Sequence, residues 1–118
     1  MPIVELSCEF TYESAHQLPH VQPGHKCGRM HGHSYHLTVT IRGPVLHGGF
    51  VMDFADVKVA VKPIIERLDH HCLNDIIDNP TVENQLVFLW EQLKLLPGLY
   101  ELILRETSTN SARYRGIV

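Results

Sequence analysis

The sequence predicts an α+β domain in which two helices cover one face of an antiparallel sheet. Two stretches alternate apolar and polar residues, two later stretches repeat apolar residues at helical spacing, and strand-like runs return near the end. Residues 4–12 place Val4, Leu6, Cys8, Phe10 and Tyr12 on one side and Glu5, Ser7, Glu9 and Thr11 on the other, a half-buried strand. Cys8 lies on its apolar side and reads as a packed core thiol. Pro19, Pro23 and Gly24 mark the stretch to Lys26 as a loop. A second strand begins near His33, with Tyr35, Leu37, Val39 and Ile41 facing one way and His36, Thr38, Thr40 and Arg42 the other. His31 and His33 share the parity of Tyr35, so a strand reaching that far turns both imidazoles to the apolar side. Gly43-Pro44 and His47-Gly48-Gly49 mark a turn, after which Phe50–Phe54 is expected to return as a third strand of a meander.

From Asp53 the period changes. Phe54, Val57, Val61, Ile64 and Leu68 form one stripe of an amphipathic helix with Asp53 as N-cap and Pro63 within it. Val82, Leu86, Leu89 and Leu93 form a second stripe, opened by Thr81 and stopped by Pro97-Gly98. Leu99–Thr107 reads as another strand and Ala112–Ile117 as a last short one. No linker or repeat interrupts the pattern, and 118 residues suit one domain spanning 1–118. A formal net charge of −3 argues against nucleic-acid binding driven by bulk charge. No apolar run approaches membrane-spanning length, and the start shows no basic segment leading into an apolar one. Three cysteines without framework spacing suit a reducing compartment, so a soluble cytoplasmic domain is expected.

The chemistry concentrates in Cys27-Gly28-Arg29-Met30-His31-Gly32-His33, preceded by His16. Imidazoles at i and i+2 of an extended chain project to the same side. Three histidines that leave one zinc position open are the pattern of a catalytic site, because structural zinc is normally closed by four protein ligands. Cys27 has two readings: a thiolate favoured by zinc and imidazoles nearby, acting as nucleophile or base, or a fourth zinc ligand. Asp69-His70-His71 follows the first helix, where a carboxylate can fix an imidazole's tautomer and make the pair a proton carrier. The same residues also fit a helix C-terminus decorated with favourable imidazoles. Glu106 shares the parity of Tyr100, Leu102 and Leu104, so its charge is either paired and functional or exposed by a frayed strand end. Glu83 favours the dipole of the second helix. Lys26, Arg29, Arg113 and Arg115 are candidate anion-binding groups.

Taken together, His16, the segment Cys27–His33, Leu68-Asp69-His70-His71 and Arg105-Glu106-Thr107 resemble the 6-pyruvoyl-tetrahydropterin synthase superfamily. Within it the chain is most similar to the bacterial 6-carboxy-5,6,7,8-tetrahydropterin synthases of queuosine biosynthesis, judged by its length and the short interval from Cys27 to His31. The resemblance implies a tunnelling fold: a four-stranded antiparallel sheet with two helices on one face, oligomerising into a barrel. A dimer of trimers with active sites between subunits is the favoured assembly. It implies Zn2+ held by His16, His31 and His33, a catalytic set of Cys27, Asp69 and His70, and Glu106 as the carboxylate that anchors the pterin ring. Glu83 resembles a substrate-side position. The implied reaction converts 7,8-dihydroneopterin triphosphate to 6-carboxytetrahydropterin, releasing acetaldehyde and triphosphate. The alternatives are 6-pyruvoyltetrahydropterin formation from the same substrate, aldolase-like cleavage of dihydroneopterin, and a non-catalytic zinc- or pterin-binding scaffold.

Overall fold

A computed structural model describes residues 1–118 and shows a hairpin of unusual length at its centre. Strand β1 runs Ile3–His16 and strand β2 runs His31–Pro44, fourteen residues each. They pair antiparallel without interruption from Ile3 opposite Pro44 to His16 opposite His31. Strict alternation sends Cys8, Tyr12, Ser14 and His16 of β1, and Tyr35, Leu37, Val39 and Ile41 of β2, to the same face, where they are buried. Both strands extend further toward the histidines than the apolar alternation alone indicates.

Helix α1 spans Phe54–Leu68 and helix α2 spans Val82–Leu93. Both caps form as the sequence implies: the Asp53 carboxylate accepts from the Ala55 N–H at 2.8 Å, and the Thr81 hydroxyl from the Asn84 N–H at 3.1 Å. Val57, Val61, Ile64 and Leu68 of α1 and Leu86, Leu89 and Leu93 of α2 are buried against the sheet, whereas Phe54 at the start of the first stripe is exposed. Strand β4, Leu99–Arg105, pairs antiparallel with the far side of β2, and β5, Ser111–Tyr114, pairs with β4. Gly98 makes the entry to β4 possible. Its φ is +77°, its carbonyl accepts from the Arg42 N–H at 2.8 Å, and a Cβ there would stand 2.8 Å from the Arg42 carbonyl oxygen.

Three expectations need correction. The sheet has five strands, not four, because His71–Cys72 adds a strand β3 and gives the order β3-β1-β2-β4-β5. This short strand pairs parallel to β1, so the sheet is not wholly antiparallel. Phe50–Phe54 forms no strand: β1 and β4 occupy both edges of β2, leaving no edge of β2 for that segment to return to, and Asp53 begins the helix at once. Elsewhere in the sheet, Arg113 and Arg115 both flank the buried Glu101 carboxylate, with Arg115 Nε donating to it at 2.9 Å.

No helix is long and apolar enough to cross a membrane. The fold assigns distinct stabilities to its parts. Leu89→Ala, at a fully buried position of α2, is expected to cost about 2–5 kcal/mol in urea unfolding. Asp53→Ala, which removes only a cap, is expected to cost about 1 kcal/mol in the same measurement.

Candidate metal centre and its two clefts

The register of the hairpin brings the predicted histidines together. His16 ends β1 directly opposite His31, which begins β2, and His33 lies opposite Ser14 on the same face. One ring nitrogen from each of the three lies within 4.8 Å of the other two, and His16 Nε2 and His31 Nε2 are 2.9 Å apart. The rings meet edge to face, with centroids 4.5 to 5.4 Å apart. His16 is 1% exposed, at the floor of the cluster, and His33 is partly open.

The outer ring nitrogens decide the tautomers. His16 Nδ1 is 2.7 Å from the Pro80 carbonyl oxygen, and His31 Nδ1 is 2.7 Å from that of Arg29. A carbonyl only accepts, so each Nδ1 carries the proton and donates it. In the neutral rings, two Nε2 lone pairs then face each other with no proton between them. Burial holds His16 below the ordinary imidazole pKa, against the opposing effect of its bond to Pro80. A cation relieves that lone-pair opposition, and imidazoles oriented through their far nitrogen by carbonyl partners are the usual support of a metal site. Tetrahedral nitrogens about 2.0–2.1 Å from zinc stand roughly 3.4 Å apart, a separation the cluster brackets. The residues fit a metal ion.

Glu106 follows β4 directly. The strand stops one residue before it, yet the side chain keeps the predicted direction and is 27% exposed. Its two oxygens stand 3.9 Å from His16 Nε2 and 3.9 Å from His33 Nε2. Cys27 comes to the same place by a different route. The loop after His16 doubles back, with Leu18 N–H donating to the Cys27 carbonyl at 2.8 Å and the Gln17 amide to the Gly28 carbonyl at 2.7 Å. A single 3-10 turn, Lys26–Gly28, then presents Cys27, whose N–H is accepted by His25 Nδ1 at 3.0 Å. Lys26, Cys27, His31, His33, Glu106 and Asn110 line one cleft of about 460 Å³.

Asp69 and His70 do not line it. The C-terminus of α1 is tied to β1 by the Ser14 hydroxyl, which donates to the Leu68 carbonyl, and by the Glu13 N–H, which donates to Asp69 Oδ1 at 2.8 Å. Asp69 Oδ2 meets His70 Nδ1 at 2.9 Å, so the predicted pair forms. His70 adopts a left-handed φ of 58° and is 79% exposed. It opens, with His33, Ser34, His71 and Cys72, onto a second cleft of about 560 Å³ beside β3. Glu83 lies exposed in the first turn of α2 and lines neither cleft. The backbone N–H of Glu13, then the hydrogen bond to His70, holds the Asp69 carboxyl below its ordinary range.

Sequence reasoning missed the layer beneath the metal cluster. Gln85 is buried in α2, where its Nε2 donates to the Pro80 carbonyl at 3.0 Å and its Oε1 accepts from the Tyr12 hydroxyl at 2.8 Å. The Tyr35 hydroxyl lies 3.3 Å from His16 Nδ1. Burial raises both phenols well above their ordinary pKa, so both stay protonated and neutral. The one available signal was Gln85 itself, a polar residue beside Leu86 on the buried side of a helix.

A profile of the family described as 6-pyruvoyl tetrahydropterin synthase matches residues 5–117. The chain belongs to that family. It is 37% identical over 116 residues to the 6-carboxy-5,6,7,8-tetrahydropterin synthase of Synechocystis sp., covering 90% of this chain and 88% of that protein. It is also 34% identical over 94 residues to the dihydroneopterin monophosphate aldolase of Pyrococcus furiosus, covering 79% and 82%. The solved 6-pyruvoyl tetrahydropterin synthase of Caenorhabditis elegans superposes with a TM-score of 0.90 at 28% identity, over 99% of this chain and 98% of that one.

Because its folded pKa is depressed, Asp69 contributes stability above the ordinary carboxylate pKa near 4, and that contribution fades as the pH falls through the lower folded value. Asp69→Asn is therefore expected to unfold at lower urea than the parent at pH 7, with the gap closing below about pH 4. Urea titrations of the two metal-free proteins at pH 7 and pH 3 check this.

Proposed function

We propose that the chain is a zinc-dependent lyase that converts 7,8-dihydroneopterin triphosphate and water to 6-carboxy-5,6,7,8-tetrahydropterin, acetaldehyde and triphosphate, in queuosine biosynthesis. The observation that carries this reading is the cleft lined by Cys27, His31, His33 and Glu106, with His16 converging on the two histidines from beneath. His16, His31 and His33 would hold the ion. Bound there, zinc supplies Lewis acidity toward the hydroxyls and developing carbonyl of the substrate side chain.

The remaining chemistry falls to the chain's own groups. The Glu106 carboxylate suits a pterin, because a 2-amino-4-oxo pyrimidine offers two adjacent N–H donors to one carboxylate. Cys27, as thiolate, removes a carbon-bound proton from the side chain. The Asp69–His70 pair returns and accepts protons, with Asp69 fixing Nδ1 of His70 and leaving Nε2 to exchange. Since His70 opens onto a different cleft from Cys27 in one chain, the pair serves a site between subunits, within a barrel of the dimer-of-trimers kind. Such an assembly also covers the exposed edges of β3 and β5. Glu83 belongs to the helix dipole in this scheme and not to the substrate. The three free cysteines fit a reducing, cytoplasmic setting.

Mass-spectrometric product identification with zinc-loaded protein and 7,8-dihydroneopterin triphosphate tests the proposal. A 6-carboxy product with acetaldehyde is expected. A 6-pyruvoyl product would transfer the site to the sister reaction, release of glycolaldehyde from dihydroneopterin or its phosphate would favour the aldolase reading, and no conversion by the zinc-loaded protein would leave only a binding scaffold. Cys27→Ala is expected to lose about 10²–10⁴-fold in turnover while keeping its zinc. Glu106→Gln should keep its zinc as well, since loss of the ion would make Glu106 a ligand. Co-assembled Cys27→Ala and His70→Ala chains should regain activity that neither variant shows alone. Failure to regain it would place Cys27 and His70 of one chain in the same site.

A further inference from the structure

We infer that Gln85 is a positioning residue of the metal centre: with Tyr12 it holds the Pro80 carbonyl against His16 and so fixes the ring orientation and tautomer in which His16 binds metal. The inference rests on the reading that His16, His31 and His33 hold a metal ion.

A fully buried primary amide must find partners for its oxygen and its nitrogen. The carbonyl of Pro80 cannot donate, so the amide nitrogen of Gln85 faces it, at 3.0 Å. The amide oxygen is thereby turned to the Tyr12 hydroxyl, at 2.8 Å, which supplies the one proton it has to give. Tyr12 is itself immobilised, 1% exposed and stacked on Tyr35 with ring centroids 5.0 Å apart. No buried side-chain nitrogen or oxygen is left unpaired in the molecule, so the amide has a single orientation that satisfies every member.

The place where this chain ends is the reason for assigning it to the metal. Pro80 precedes the cap of α2, in a turn where Asn79 takes a left-handed φ of 47°. The helix clips that turn twice: Asn84 Nδ2 donates to the Asn79 carbonyl at 2.9 Å, and Gln85 donates to the Pro80 carbonyl. Only the second bond falls on the oxygen that also accepts from His16 Nδ1, at 2.7 Å. Both lone pairs of the Pro80 oxygen are thus used, one to hold the carbonyl to the helix and one to hold the imidazole. With the first contact gone, the carbonyl can turn, and His16 loses the partner that keeps its Nε2 directed at His31. Outer-shell hydrogen-bond partners of ligating histidines commonly change metal affinity by about 10–100-fold when removed.

The test uses the full chain and zinc itself. Gln85→Met keeps the volume and removes both hydrogen bonds, whereas Tyr12→Phe removes only the outer one. Zinc dissociation constants from chelator competition are compared with the thermal midpoints of the metal-free proteins. The parent is expected to take one zinc per chain. Gln85→Met is expected to bind it about 10–100-fold more weakly and Tyr12→Phe a few-fold more weakly. The double variant should be no weaker than Gln85→Met alone, because Tyr12 acts through Gln85. Lower midpoints with an unchanged zinc constant would overturn the inference and leave the amide a purely structural group. A parent that takes no zinc would overturn the metal reading and the inference together, whereas equal zinc constants in parent and variants sink the inference alone. Should Gln85→Met fail to fold, the zinc constant of Tyr12→Phe decides in the same way.

Discussion

The pairing of His16 with His31 across the central hairpin is the constraint on which the rest of the site depends. The side-chain period of a strand is two, so a slip of one residue between β1 and β2 would send the imidazoles of one strand to the opposite face from those of the other. The long ladder from Ile3–Pro44 to His16–His31 prevents that slip, because each core pair along it has the same interest in the register. Tyr12 opposite Tyr35, Phe10 opposite Leu37 and Cys8 opposite Val39 would all move with the histidines. The hydrophobic core and the metal cluster are therefore set by one pairing, and the cluster is the polar end of the core.

Around that cluster the protein uses backbone carbonyls where charged partners are more familiar. The Pro80 and Arg29 carbonyls each accept a hydrogen bond from Nδ1, which leaves the Nε2 lone pair open to a metal ion without adding negative charge behind the ring. The nearest carboxylate, Glu106, instead approaches from the cleft side. It is thus available to whatever enters the cleft, while the far sides of His16 and His31 stay neutral. Cys27 is held by a loop folded back on the end of β1, so its position depends on the same strand end as His16.

Asp69 and His70 are fixed by the other edge of β1. Their carboxylate and backbone are tied to Glu13, three residues before His16, so α1 and the hairpin cannot shift relative to one another without breaking the pair. The strained backbone of His70 turns its ring outward onto the cleft beside β3. A ring so placed has little to do within its own chain, which is what gives the proposed site between subunits its physical basis.

The sequence by itself determined the parts that depend on periodicity and local chemistry. Alternation through Tyr35 and Leu37 was enough to place His31 and His33 on the buried side, and the stripes and caps located both helices, because a cap or a stripe is satisfied within a few residues. Family resemblance joined the three histidines with Cys27, Asp69, His70 and Glu106 into one reading. Tertiary structure decided what depends on partners distant in sequence. Phe50–Phe54 has strand-like composition but finds both edges of β2 already taken, and the two residues of β3 form a strand only because β1 offers a free edge. The division of Cys27 and His70 between two clefts follows from what holds them, the loop folded on the end of β1 for Cys27 and the outer edge of β1 for His70. Gln85 lies outside the apolar stripe read from the sequence, and its role came into view only when folding set its amide between the hydroxyl of Tyr12 and the carbonyl that orients His16. A buried polar group is specified by its partners, and those partners lie on other elements of the chain.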